Sequence, residues 1–145
     1  MTGDIASLID GKVREMEQNL IFLKQVSIGV TMDNLKEDII RYWGIERGIQ
    51  ILIETVIDIA NIIISANNIE KPHTYRESIL ELAKLDILPR EFTEELSKMV
   101  GFRNILVHDY TNVDEEIILN VLHTRLDDFI RYMEYIDRWL KENYS

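Results

Sequence analysis

The sequence contains no cysteine, and proline occurs only at Pro72 and Pro89. Without thiols there is no disulfide framework, no Cys-ligated zinc and no thiol nucleophile, and a reducing compartment is compatible. With so little proline, and no run of alternating polar and apolar residues between turn signals, the chain lacks the punctuation of a β-rich fold. Six glycines are scattered along it, so no glycine-rich phosphate loop is present. The three histidines, His73, His108 and His123, stand far apart and form no His-x-x-x-His pair. No metal site is expected from them, and no cofactor. Basic residues are the minority, 16 against 26 acidic ones, for a net charge of −10 at pH 7. Such a molecule repels polyanions as a whole, so any contact with nucleic acid has to be local.

What is present describes a globular chain. Its 145 residues are 46% hydrophobic and 29% charged, which suits one domain, residues 1–145, with a buried core. The start, Met1-Thr2-Gly3-Asp4, lacks the basic stretch and apolar run of a signal peptide, and no segment is expected to span a bilayer. The expectation is a cytoplasmic protein with no membrane partner.

The apolar spacing predicts an all-α, up-and-down bundle of about five helices. The first runs from about Ile5 to Val26, with Ile9, Val13, Met16, Leu20 and Leu23 at helical spacing. The second, long and central, starts after Thr31 or Asp33 and reaches Ser65, about 50 Å at roughly 1.5 Å per residue. Asn67-Asn68 and Pro72 end it. A capping-box pattern at Thr74-Tyr75-Arg76-Glu77 opens the third, which runs to about Lys84. Pro89 fits the first turn of the fourth, which continues towards His108. The last starts at Asn112 or Asp114 and runs through Leu122, Leu126, Phe129, Met133, Ile136 and Leu140.

On the second helix, Ile45, Ile49, Leu52, Ile53, Val56, Ile57, Ala60, Ile63 and Ile64 form one broad stripe, and Ile51 and Ile62 lie outside it. That surplus favours burial against two partners, and a homodimer is expected. The narrow polar strip Arg47, Gln50, Glu54, Asp58, Asn61 reads as the solvated face. Glu46 stands at the edge of the apolar stripe, where a carboxylate needs a partner; Arg103 is one candidate.

The segment Val100 to Tyr110 gathers Arg103, Asn104, His108 and Tyr110 at the end of an apolar helix. At about 100° per residue, Asn104 and His108 project from nearly one face and Arg103 and Tyr110 from another. Arg103 and His108 then stand about 140° apart, poorly placed to act on one phosphate. Either the helix frays near His108, or two copies of the motif face each other in a dimer and the site is composite.

Arg103, His108 and Tyr110 reproduce an Arg-x4-His-x-Tyr pattern, and other segments keep it company in order. These are Tyr42-Trp43-Gly44-Ile45-Glu46-Arg47 leading into Glu54 to Asn61, then Pro72 with Tyr75-Arg76-Glu77, Leu88-Pro89, and Gly101-Phe102-Arg103-Asn104. Together they resemble the HepT-like branch of the HEPN superfamily over roughly residues 1 to 140. The resemblance implies a toxin that cuts RNA without a metal. His108 would take the proton from a ribose 2′-hydroxyl, which attacks the adjacent phosphorus, and Arg103 would hold the phosphoryl oxygens as charge grows. Asn104 and Tyr110 would support them. It also implies that Tyr110 is a modification site, where an MNT-type nucleotidyltransferase antitoxin, a separate protein, attaches AMP and silences the toxin. The alternative is a non-catalytic HEPN dimer that binds nucleotide or a nucleotidyltransferase, which the acidic charge supports. Catalysis needs only a small basic pocket, which some of Arg14, Arg76, Arg90, Lys98 and Arg103 could form.

Overall fold

The computed structural model describes residues 2–108 and 115–144; the side chains of residues 2 and 105–108 lie outside that description. Among the described residues every regular element is helical: α1 (Thr2–Val26), α2 (Ile39–Ala66), α3 (Tyr75–Lys84), α4 (Arg90–His108), α5 (Glu115–Asn120), a π-helical turn (Val121–Arg125) and α6 (Leu126–Tyr144). The last three follow one another without a break, so the rods number five.

Each apolar stripe of the sequence is a buried face. Ile9, Val13, Met16, Leu20 and Leu23 of α1 and eight of the nine stripe residues of α2 are buried in one core with Phe92, Leu96, Phe129, Tyr132 and Ile136, and the ninth, Ile64, is buried beside it. Helix α2 is the axis, packed against α1, α3, α4 and α6. Lys12 pairs with Asp58 at 3.8 Å, and a Cβ built on Gly48 would stand 3.1 Å from Leu23 Cδ1, so α1 and α2 run antiparallel. The same reading holds for α4 and the last rod, where Arg125 meets Glu95 at 3.1 Å and the rings of Tyr135 and Phe92 lie 5.4 Å apart. The Tyr132 hydroxyl donates to the Val56 carbonyl at 2.9 Å, pinning α6 to α2 inside the core.

Three expectations need correction. Helix α2 starts at Ile39, later than the sequence suggested, because Asp38 caps it by accepting from the N–H groups of Ile40 and Arg41. The preceding residues are held in turns: Asn34 accepts from the Thr31 N–H at 2.8 Å and donates to the Gly29 carbonyl at 3.0 Å. Secondly, α2 is long and apolar enough, by length and composition, to cross a membrane. In the fold that apolarity goes to the core, since an axial helix is enclosed on several sides and needs more than one apolar face. Thirdly, Pro89 stands just before α4, its carbonyl accepting from Thr93 N–H at 3.1 Å, so it caps the helix instead of occupying its first turn.

The ends of α2 and α3 share a device. Asn68 and Asp86 take positive φ angles of 58° and 60°, and the next residues, Ile69 and Ile87, donate back to the Ile64 and Leu82 carbonyls. Left-handed residues at this position turn the chain sharply off a helix. As a result α3 folds back beside α2, and its first turn comes to rest near the second half of α4.

Candidate functional site

The capping box predicted at Thr74 forms: its hydroxyl accepts from Glu77 N–H at 3.1 Å, and the Glu77 carboxylate accepts from His73 N–H at 3.2 Å. This fixes where α3 begins and so where Tyr75 points. The Arg103 guanidinium carbon lies 4.8 Å from the centre of the Tyr75 ring, within cation–π range. On its other side, Arg103 Nε stands 3.8 Å from Glu54 Oε1 of α2. That carboxylate is itself held, accepting from Gln50 Nε2 at 3.1 Å and lying 4.0 Å from Arg47 Nη1.

Arg103 is thus oriented by a ring and a charge, yet it makes no hydrogen bond to any described residue. Its side chain is 21% exposed. A guanidinium whose N–H donors are unspent and whose direction is set is suited to hold a phosphate or carboxylate with paired bonds.

Glu54 replaces Glu46 as the acidic partner of Arg103. Two helical turns separate the two carboxylates, and Glu46 instead meets the Tyr42 hydroxyl on its own helix. Burial first, and Glu46 second, push the Tyr42 phenol above its ordinary range. The strip read as solvated is a working seam: besides Glu54, Asp58 pairs with Lys12 and Asn61 accepts from the Ser78 hydroxyl at 2.8 Å. Spacing gave its narrowness, and a polar strip flanked by apolar residues on both sides is the signal that could have marked it as an inter-helix contact.

Of the basic candidates, Arg76 lies by Asn104 in the cleft described next. Arg14 is committed to Asp137, Asp10 and Glu17, and Lys98 to Glu95. Arg90 lies in a separate cleft with Pro72, Glu77 and Lys84. Of the five candidates, Arg76 and Arg103 come to lie on either side of Tyr75, while Arg14, Lys98 and Arg90 are placed elsewhere.

Asn104 projects away from Arg103 into a cleft of about 570 Å³ between α2, the α3 entry and α4. Lys71, His73, Arg76, Ser97 and Asn61 line it, and Tyr75 borders both the cleft and Arg103. The backbone of His108 closes α4; its side chain, and Tyr110 entirely, lie outside the described residues. Glu70-Lys71-Pro72-His73 has a Glu-x-x-His spacing, but it precedes α3 and no third ligand joins it among the described residues.

A helical bundle on a long axial helix, with an oriented arginine near the end of the fourth rod, defines the class. The pattern of the family described as Ribonuclease HepT-like matches residues 16–136, and the chain belongs to that family. It is 36% identical over 83 residues to the mRNA nuclease HepT of Shewanella oneidensis, a stretch covering 57% of this chain and 62% of that protein. It is 30% identical over 95 residues to the tRNA nuclease HepT of Aphanizomenon flos-aquae, covering 66% of this chain and 65% of that protein. The matched stretch therefore spans somewhat less than two thirds of each curated relative. Among solved structures, the tri-AMPylated Shewanella oneidensis HEPN toxin in complex with MNT antitoxin superposes with a TM-score of 0.80 at 29% identity, covering 90% of this chain and 96% of that one. A toxin-antitoxin structure with AMP-PNP gives a TM-score of 0.82 at 28% identity over 93% and 98% of the two chains. YutE of Bacillus subtilis, a cytosolic protein of unknown function, shares the fold with a TM-score of 0.81 at 19% identity over 95% and 92%.

Proposed function

We propose that this chain is a metal-independent endoribonuclease, the toxin of a toxin-antitoxin pair. The observation that carries the reading is Arg103, aimed by Tyr75 and Glu54 and making no hydrogen bond to any described residue. Five residues on, His108 is the general base that takes the ribose 2′-hydroxyl proton. The freed oxygen attacks the neighbouring phosphorus, the P–O bond to the next nucleotide breaks, and Arg103 stabilises the charge on the phosphoryl oxygens. Only a strand with a 2′-hydroxyl carries this nucleophile, so RNA is cut and DNA is not. Asn104 and Tyr110 support the pair.

Nuclease names among the relatives, and the AMPylated toxin bound to an MNT antitoxin among the structural neighbours, support this assignment. They also support silencing by AMP transfer to Tyr110 from a separate nucleotidyltransferase: the added phosphate competes with RNA for the donors of Arg103. The proposed protein is one domain, works in the cytoplasm and forms a homodimer. The dimer is supported by exposed apolar residues at the start of α2, where Ile39, Ile40 and Trp43 are 47%, 75% and 60% exposed. Ile28, 73% exposed, adjoins them, since Arg41 donates to the Val26 and Ile28 carbonyls.

The second reading, a non-catalytic dimer that binds nucleotide or the nucleotidyltransferase, is favoured by the net charge of −10. Incubation of wild type and His108→Ala with total RNA in EDTA separates the two. Wild type cuts and the variant does not; equal cutting by both, or none by wild type, sinks the nuclease assignment.

A further inference from the structure

Apart from Tyr75 and Asn104, the residues lining the cleft beside Asn104 play no part in the chemistry above, yet its walls are unlike the rest of this acidic molecule. Lys71 and Arg76 form no ion pair among the described residues, and both line it. His73 stands between them in sequence, on the same wall. Most other cations are neutralised: Lys12, Arg14, Lys36, Arg47, Lys84, Lys98 and Arg125 all have carboxylate partners.

The opposite wall supplies an independent sign of a missing ligand. Ser97 of α4 is only 7% exposed, and its hydroxyl has no hydrogen-bond partner among the described residues. A buried hydroxyl left without a partner is costly, and in native proteins it commonly marks a ligand or water position. Ser78, across the cleft, is by contrast satisfied by Asn61. The volume of about 570 Å³ lies inside the range of roughly 300–1,000 Å³ usual for small-ligand sites.

We infer that this cleft is a subsite for the nucleotide adjoining the one that is cut, its phosphate held by Lys71 and Arg76 and its sugar or base edge by Ser97 and Asn104. Position supports this role. Consecutive residues of α4 divide the labour, Arg103 at the reacting phosphate and Asn104 in the cleft, with Tyr75 bordering both. A strand passing over Tyr75 joins the two places. The inference rests on the RNA-cutting reading, but a binding measurement tests it without any cleavage.

The probe is a fluorescein-labelled 2′-O-methyl hexanucleotide, which lacks the nucleophile, followed by anisotropy in EDTA over a range of KCl concentrations. Wild type should bind it, and Lys71→Gln/Arg76→Gln should weaken binding at least tenfold. With one phosphate no longer neutralised, the slope of log affinity against log salt should fall by about 0.7. Ser97→Ala, which removes an unpartnered group and should fold normally, weakens binding about threefold or more. Lys24→Gln/Lys84→Gln, carrying the same charge change elsewhere, leaves it alone. Circular dichroism melts confirm that each variant is folded. Unchanged affinity in the Lys71/Arg76 variant, an equal loss in the Lys24/Lys84 control, or no binding by wild type overturns the subsite. Loss of binding in the cleft variant while wild type fails to cut RNA keeps the subsite and removes the nuclease; cutting with unaltered binding does the reverse.

Discussion

Arg103 of α4 and Glu54 of α2 meet at 3.8 Å through Nε and Oε1, the one ion pair between the two helices among the described residues. The pair is partly exposed, so it contributes little to stability, under about 1 kcal/mol. Its effect is directional: with Nε turned to Glu54 and the guanidinium over Tyr75, the orientation of the other donors is fixed. Glu54→Gln should therefore lower kcat about tenfold, equivalent to about 1.4 kcal/mol of transition-state stabilisation, with KM for RNA nearly unchanged and the melting curve in place. Arg103→Lys, which loses both the ring stacking and the planar fork, should cost about 10²–10³ in kcat. Steady-state cleavage of a short RNA reads both. An intact kcat in the lysine variant would remove Arg103 from the chemistry.

The start of α2 should carry the dimer. Ile40→Glu and Trp43→Glu change side chains that are 75% and 60% exposed, so folding should survive them. Sedimentation equilibrium should show twice the chain mass for wild type and the chain mass for the variants. Identical masses would place the subunit contact elsewhere.

Tyr132 is fully buried, and its only polar contact among the described residues is the bond to Val56. Tyr132→Phe should cost about 1 kcal/mol in urea unfolding at pH 7. Burial raises the phenol above its ordinary value. Since the folded value exceeds the unfolded one, the tyrosine's contribution is complete below about pH 10 and declines as the pH rises above it. The gap between wild type and Tyr132→Phe should narrow, then reverse, in that alkaline window. A gap independent of pH would contradict the assignment.

Two glycines of α2 should respond differently to alanine. Gly44 has nothing within 4 Å of a new Cβ, so Gly44→Ala should gain about 0.8–1.0 kcal/mol of helix propensity. At Gly48 the same Cβ meets Leu23 Cδ1 at 3.1 Å, and the α1–α2 contact must give way. Gly48→Ala should therefore show little gain or a net loss by thermal unfolding. Equal stabilisation at both would show that the helices are less closely apposed.

The apolar stripes of α1, α2 and α6 were legible because burial leaves a 3.6-residue period in the sequence, and all nine stripe residues of α2 are buried. So was the Thr74 capping box, a local hydrogen-bond pattern fixed by four consecutive residues. What periodicity does not carry is which polar residue faces which. Glu46 and Glu54 are alike in a one-dimensional reading, and only the rotation of α4 against α2 selects the second. Lys71, His73 and Ser97 were likewise invisible, because their meeting depends on the sharp left-handed turn at Asn68 bringing distant segments together. The start of α2 was misjudged because Asn34 and Asp38 divert backbone groups that would otherwise continue a helix.

In the π-helical turn Val121–Arg125, the Thr124 hydroxyl reaches back to the Asn120 carbonyl at 2.6 Å. Such a turn takes up one supernumerary residue within an α-helix. Deleting Thr124 would therefore leave a regular helix with Glu115–Asn120 still in register, whereas a residue added to the regular turns of α6 would swing them around the rod by roughly 100°. With such an insertion Ile118 and Leu119 would leave their sockets in the core. The last rod thus tolerates the loss of a codon inside its π turn and is sensitive to the gain of one in the turns beside it.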